Sequence, residues 1–249
     1  VTDSGQAGSA RAADGRVRLG GRPPFAFRVE VPDDWTVLDT APATWRRSAR
    51  DMLGGDEGLS DEQRRAAMAV IADVVETAQT IGTCATAVKL ARDADDRVFW
   101  GSLSLTWYDS RPIEPDLTFL KIVAGNRGRR ETFECDLGEG LMVRGRTVWA
   151  QPLPGIMTEG RTYDTQIFLP VPGTTWTALF SGSTAAAAHD ELMVKLVRRM
   201  ALSLDADIPA PRSEPRRDAG TSNEAGALKA RLRSAARRTE TDPSGPQGR

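Results

Sequence analysis

The segment Phe168-Leu169-Pro170-Val171-Pro172-Gly173-Thr174-Thr175-Trp176 constrains the fold more than any other stretch of this chain. An apolar strand runs into Pro-Val-Pro-Gly, where proline cannot donate to a ladder and glycine tolerates a tight turn. A second strand starts at Trp176 and continues to Ser181. An amphipathic helix follows Thr184, with Leu192, Leu196 and Met200 in one row and Val197, Ala201 and Leu204 beside it. Glu191 and Lys195 are spaced for an i,i+4 ion pair. A shorter unit near the start, Phe27-Arg28-Val29-Glu30-Val31-Pro32-Asp33-Asp34-Trp35, has a similar strand, proline and tryptophan order.

Between these units the periodicity changes several times. Phe25, Phe27, Val29 and Val31 alternate with polar or small residues, the period of a half-buried strand. Trp35–Leu38 reads as a short second strand. Pro42 suits the first turn of a helix over about 43–53, closed by Gly54-Gly55. Ser60-Asp61-Glu62-Gln63 is a capping box. It opens a helix whose stripe is Met68, Ile71, Val75 and Ala78, widened by Val74 and Ile81, and Gly82 ends it. Residues 83–91 and 98–108 then form a hairpin around the polar 92–96 turn. In its second strand Phe99, Gly101, Leu103, Leu105 and Trp107 share one face. Trp100, Ser102, Ser104, Thr106 and Tyr108 share the other. Both faces are partly apolar, so helices cover both or a partner takes one. Four more strands, over 131–137, 141–151, 163–171 and 175–181, read as an antiparallel meander with short glycine-containing turns. The stretch 116–124 fits helix and strand equally.

Composition places the ends outside this domain. Residues 1–22 are rich in Gly, Ala, Ser, Asp and Arg and are expected to be a disordered arm. The folded domain spans 25–208. Residues 209–249 form a basic, mostly disordered tail with one helical candidate at 224–238. The net charge of −1 is unevenly distributed: the tail carries nine Lys/Arg against five Asp/Glu. The body is therefore acidic, and the tail is a candidate contact for acidic protein. Lysine is scarce, only Lys89, Lys121, Lys195 and Lys229, while arginine is abundant. That usage is expected of a high-GC bacterial genome such as an actinobacterial one, and Val1 fits a GTG start codon written literally. No apolar run opens the chain, so neither a signal peptide nor a membrane span is expected, and the protein is expected to be cytoplasmic. Cys84 and Cys135 lie in strand-like contexts and are expected to be buried and reduced.

No catalytic set assembles from the sequence. His189 is the single histidine, and no G-x-S-x-G elbow accompanies it. There is no C-x-x-C and no H-E-x-x-H, so neither a metal nor another cofactor is expected. Gly138-Glu139-Gly140 reads as a strand-to-strand turn, since an acidic residue between the glycines suits no phosphate. Asp109, Glu114 and Asp116 cluster around Pro112 and Pro115 and are the candidate carboxylates of an enzyme or small-ligand site. Candidate partner-binding residues are Trp100 and Tyr108 on the sheet, with Arg231, Arg233, Arg237 and Arg238 in the tail. The tail has no interleaved aromatic for base stacking, which disfavours nucleic acid. Its two leucines, Leu228 and Leu232, are too little for membrane insertion.

The combination F-x-V-x-V-P-x-x-W (Phe27 to Trp35) and L-P-V-P-G-x-x-W (Leu169 to Trp176), with a closing amphipathic helix, resembles the PsbP-like superfamily, which includes the Mog-type proteins. The resemblance covers about residues 25–208. It implies an α+β fold, an α/β/α sandwich with a central, mainly antiparallel sheet and helices on both faces. It also implies a non-enzymatic adaptor or assembly factor that binds another protein, with actinobacterial members associated with type VII secretion loci. No binding residue carries over, because the superfamily has no shared catalytic motif.

Overall fold

The computed structural model describes residues 18–19, 21–55, 58–92, 98–109, 128–148 and 160–208. The helix candidate at 224–238, the ambiguous 116–124 stretch, the 93–96 part of the hairpin turn and most of the arm and tail lie outside them.

The elements, in chain order, are β1 (Arg18–Leu19), β2 (Phe27–Arg28), β3 (Thr36–Val37), α1 (Trp45–Gly54), α2 (Asp61–Ile81), β4 (Thr83–Arg92), β5 (Val98–Asp109), β6 (Arg129–Cys135), β7 (Gly138–Val148), β8 (Arg161–Pro170), β9 (Trp176–Thr184), a 3₁₀ turn (Ala187–His189), α3 (Asp190–Leu202) and β10 (Asp205–Ala206). Among the described residues eight strands form one antiparallel sheet, seven of them in the order β3-β4-β5-β9-β8-β7-β6 and the short β1 pairing with β5 off that path. The β6–β9 run is the expected meander, and β9 returns to lie beside β5. The fold is α+β, with helices on both faces of the sheet.

The alternation in β5 sets the two layers. Leu103, Leu105 and Trp107 are fully buried on one face, against Met193, Val197 and Met200 of α3. Trp100 points to the other face, in a second core with Val70, Ile71 and Val75 of α2 and Trp45 and Ala49 of α1. Both ends of α2 behave as their sequence dictates. Ser60 Oγ accepts from the Gln63 N–H (3.2 Å), and Gln63 Oε1 accepts from the Ser60 N–H (2.9 Å). Gly82 closes α2 in the left-handed region (φ 68°), which a side chain would disfavour. Arg64 donates to the Leu53 carbonyl, which ties the end of α1 to the start of α2.

Several expectations are corrected. The strand expected over 25–31 is not part of the main sheet. Only Phe27–Arg28 pair, and their partner is β10, just beyond α3. Arg18–Leu19, assigned to a disordered arm, pair with Tyr108 and Asp109 of β5, beyond the point where β4 begins at Thr83. Gly138 and Gly140 lie in β7. The turn itself is Asp136-Leu137, with Gly138 at φ 124° following it. The expected face of α3 holds at Val197, Met200, Ala201 and Leu204, with Leu196 partly buried beside them, but at the start of the helix Met193 and Val194 are buried while Leu192 is 47% exposed. Glu191 does not serve Lys195. It accepts from Arg144 Nη2 of β7 (2.7 Å), which also donates to Asp190 (2.9 Å). A strand cation thereby holds the acidic first turn of α3 in place, where the helix dipole already favours carboxylates.

Cys84 also departs from expectation. It is the extra residue where the β4–β5 register shifts between Thr83 and Ala85, and as a residue it is exposed rather than buried. Its sulfur turns inward, and Sγ donates to the Leu105 carbonyl (3.1 Å). Burial of the thiol pushes its pKa up to about 11, against the opposing pull of adjacent backbone groups and Arg22. Two units above an ordinary thiol leaves roughly a hundredfold less thiolate at pH 8. In a Cys135→Ser background, Cys84 is therefore expected to react with a thiol-exchange reagent far more slowly in the native state than in denaturant. The native rate should climb steadily with pH toward 11. Equal rates in the two states would contradict the inward orientation of the sulfur.

Candidate functional site

On the face opposite α3, α2 lies along β4 and β5, and β9, β8 and β7 continue the sheet beside it. The register places side chains from four strands in rows across this face. Ser102, Ser183, Asp164 and Gly145 form one row; Ser104, Ser181, Gln166 and Val143 form the next. The strands need apolar residues only where they meet a helix, so here the outward positions carry hydroxyls, an amide and a carboxylate. These side chains are half-buried rather than free on the surface, apart from the more deeply buried Val143.

Two adjoining cavities follow these rows. One, of about 270 Å³, lies between α2 and the sheet, with Asp73 and Thr77 on the helix side and Thr86, Trp100, Ser102 and Ser104 on the sheet side. The second, of about 440 Å³, extends over β8 and β7 past Asp164 and Thr147. They share Gln166, Ser181, Gly182 and Ser183, and so form one trough.

Asp164 organises the outer part. Its carboxylate accepts from Thr147 Oγ1 (2.6 Å), more distantly from Thr162 Oγ1 (3.4 Å), and from the Ser183 hydroxyl. Three donors on one carboxylate hold it as an acceptor and fix the serine rotamer. On the α2 rim, partial desolvation raises the Asp73 carboxyl above its ordinary range, reinforced by Glu76 one turn on. Toward the β8–β9 turn the face becomes apolar, where Val143, Phe168 and Leu179 cluster with Tyr108 and Leu141.

Of the residues singled out from sequence, Trp100 is 4% exposed and its surface is taken up by the α1–α2 core. It also lines the inner cavity of the trough. Tyr108 is half-buried at the boundary between trough and apolar cluster, and burial raises its phenol pKa. Asp109 ends β5 opposite Arg18 and Trp176. Glu114, Asp116, Arg231, Arg233, Arg237 and Arg238 lie outside the described residues. His189 is the residue before α3 and lines neither cavity. Among the described residues, no cluster of three His, Cys, Asp or Glu side chains is arranged to hold a metal ion. No described helix is long and apolar enough to cross a membrane.

Sequence reasoning missed Asp164, Gln166, Ser181 and Ser183. Their signal was present as outward polar positions on β8 and β9, in phase with Ser102 and Ser104 of β5. That phase is visible only once β9 is known to pair between β5 and β8.

No family model matches the chain, and no curated protein matches it. Among solved structures the chain is similar to LpqN, involved in cell envelope biogenesis of Mycobacterium tuberculosis, at 10% identity and a TM-score of 0.36. That alignment covers 77% of this chain and 90% of LpqN.

Proposed function

We propose that this protein is a non-catalytic binding or assembly factor, an adaptor that engages another protein through the trough side of its sheet. The observation that supports this most is the pairing of a firmly built α+β body with one polar, recessed sheet face beside α2. A hydrolytic reading needs a nucleophile next to a base free to take its proton. Here the Ser183 hydroxyl donates to a carboxylate already engaged by two threonines. Membership of the PsbP-like superfamily and an association with type VII secretion are part of this proposal, and they rest on the two Pro/Trp units of the sequence. So do the actinobacterial source, read from the Arg-over-Lys usage, and contact of the basic tail with an acidic partner. A reducing, cytoplasmic setting fits the free thiols of Cys84 and Cys135.

The test is affinity purification from the native host with three full-length baits. These are the wild type, a Gln166→Arg/Ser181→Arg variant that fills the trough, and a variant with Arg231, Arg233, Arg237 and Arg238 replaced by Ser. The expected result is one partner retained by the tail variant and lost by the trough variant. Measured turnover abolished by a single carboxylate or serine substitution would overturn the non-catalytic reading.

A further inference from the structure

The outward face of α3 carries a pattern that its packing on the sheet does not use. At about 3.6 residues per turn, Leu192, Lys195, Arg199 and Leu202 fall on one stripe, and all four are exposed. Leu192 is 47% exposed and Leu202 57%. Of the other large apolar side chains exposed on the described surface, Val37 and Val148 stand elsewhere, on β3 and at the end of β7. The two leucines lie roughly 15 Å apart along the helix, at about 1.5 Å per residue, with the two cations between them.

The charge along this stripe has one sign. Among the described residues neither Lys195 nor Arg199 forms an ion pair or a side-chain hydrogen bond. Arg198 flanks them, its guanidinium 5.7 Å from the centre of the Phe133 ring. The helix has two carboxylates of its own, Asp190 and Glu191, and Arg144 of β7 holds both at the first turn. Beyond Leu202 the sign reverses, at Asp205 and at Glu30, whose N–H donates to Ser203 Oγ (2.9 Å). The buried row of Met193, Val197 and Met200 fixes the helix to the sheet, so the stripe is presented in one orientation before any partner arrives.

This pattern selects among partners. A nucleic-acid backbone would meet the cations and leave the leucines uncovered. A membrane surface needs more apolar area than two half-exposed leucines supply. An apolar partner would desolvate two cations without compensation. An amphipathic helix with Asp or Glu between its apolar residues satisfies both parts, covering the leucines and pairing the cations as it lies along α3.

We propose that the outward face of α3, through Leu192, Lys195, Arg199 and Leu202, docks an acidic amphipathic helix of another protein. This surface lies across the sheet from the trough, so it goes beyond the trough-side reading above.

The test is an NMR titration of the full-length ¹⁵N-labelled protein, with the assigned α3 amides as the readout. The probe is a synthetic amphipathic peptide with leucines at helical spacing and glutamates between them. The controls are the same peptide with glutamine for every glutamate, and vesicles of phosphatidylcholine and phosphatidylglycerol. The expected result is a saturable shift of the α3 amides with the acidic peptide, weakening as salt is raised, and with neither control. Lys195→Gln/Arg199→Gln and Leu192→Ser/Leu202→Ser should each weaken that binding about tenfold. All four side chains are exposed, so the thermal midpoints should stay near that of the wild type, which separates lost binding from lost folding. Replacing Arg231, Arg233, Arg237 and Arg238 by Ser should leave the α3 shifts in place. The absence of a saturable shift with the acidic peptide overturns the proposal. So does an equal response to the glutamine peptide or the vesicles, unchanged affinity in both double variants, or loss of the shifts with the tail arginines. The Gln166→Arg/Ser181→Arg variant should bind the peptide as the wild type does, so this proposal and the trough-side reading fail separately.

Discussion

Trp107→Ala is expected to lower stability by about 3–5 kcal/mol, the usual cost of deleting a fully buried aromatic. Trp107 is 0% exposed on the α3 side of β5. Phe25 meets it edge-on at 5.6 Å between ring centroids, and Phe27 at 5.0 Å. Phe27 lies in β2, which pairs with β10 after α3, and Phe25 stands two residues before it. Trp107 is therefore where both ends of the folded region are fastened to the sheet, and its loss empties more than its own volume. Trp107→Phe keeps a ring in the site and should cost clearly less. At about 2–4 °C per kcal/mol for a domain of this size, the alanine variant should melt roughly 10 °C or more below the wild type. Urea unfolding followed by circular dichroism measures both variants. An alanine variant within about 1 kcal/mol of the wild type would contradict this placement of Trp107.

Local chemistry was legible wherever one short segment decides the outcome. The Ser60–Gln63 box, the Gly82 stop and the two faces of β5 needed no knowledge of the rest of the chain, because capping and strand alternation act over a few residues. The 25–31 strand shows the opposite case. Its alternation was real, since Phe25 and Phe27 do face the core. Its partner, however, is a segment nearly 180 positions later, and only the docking of α3 brings that segment near. The exposure of Leu192 at the start of α3 has a similar cause. Leu192 and Met193 are equally apolar, and the choice between them is made by the sheet and by Arg144, which holds Asp190 and Glu191 from the side.

The trough was less legible, for a reason of geometry. A polar residue at an outward strand position has the same local signature whether it meets bulk solvent or a recess. Asp164 and Gln166 on β8, and Ser181 and Ser183 on β9, acquire their meaning from cross-strand register. That register follows from β9 inserting between β5 and β8. Trp100 stood out early as an aromatic on the polar face of β5. Only the structure shows that its ring is packed under α1 and α2 rather than offered to a partner.

Gly182→Val should separate α3 from the sheet and destabilise the protein by at least 1–3 kcal/mol. Gly182 pairs with Leu103 and Thr165 in the middle of the sheet, and its missing side chain would point at the helix. A Cβ there would lie 2.4 Å from Val197 Cγ2, 3.0 Å from Met193 Cε and 3.3 Å from Leu103 Cδ2. Met193 is flexible and can withdraw. Val197 cannot, because a β-branched side chain in a helix is confined to one rotamer. Relief must then come from moving the helix, which would also pull Asp190 and Glu191 away from Arg144. Trimming the obstacle tests this account directly. Val197→Ala alone should be destabilising, since Val197 is fully buried. Combined with Gly182→Ala it should restore part of the loss, so that the double variant is more stable than the two single effects predict. Strict additivity in a thermal or urea double-mutant cycle would mean that the glycine is not there to admit Val197.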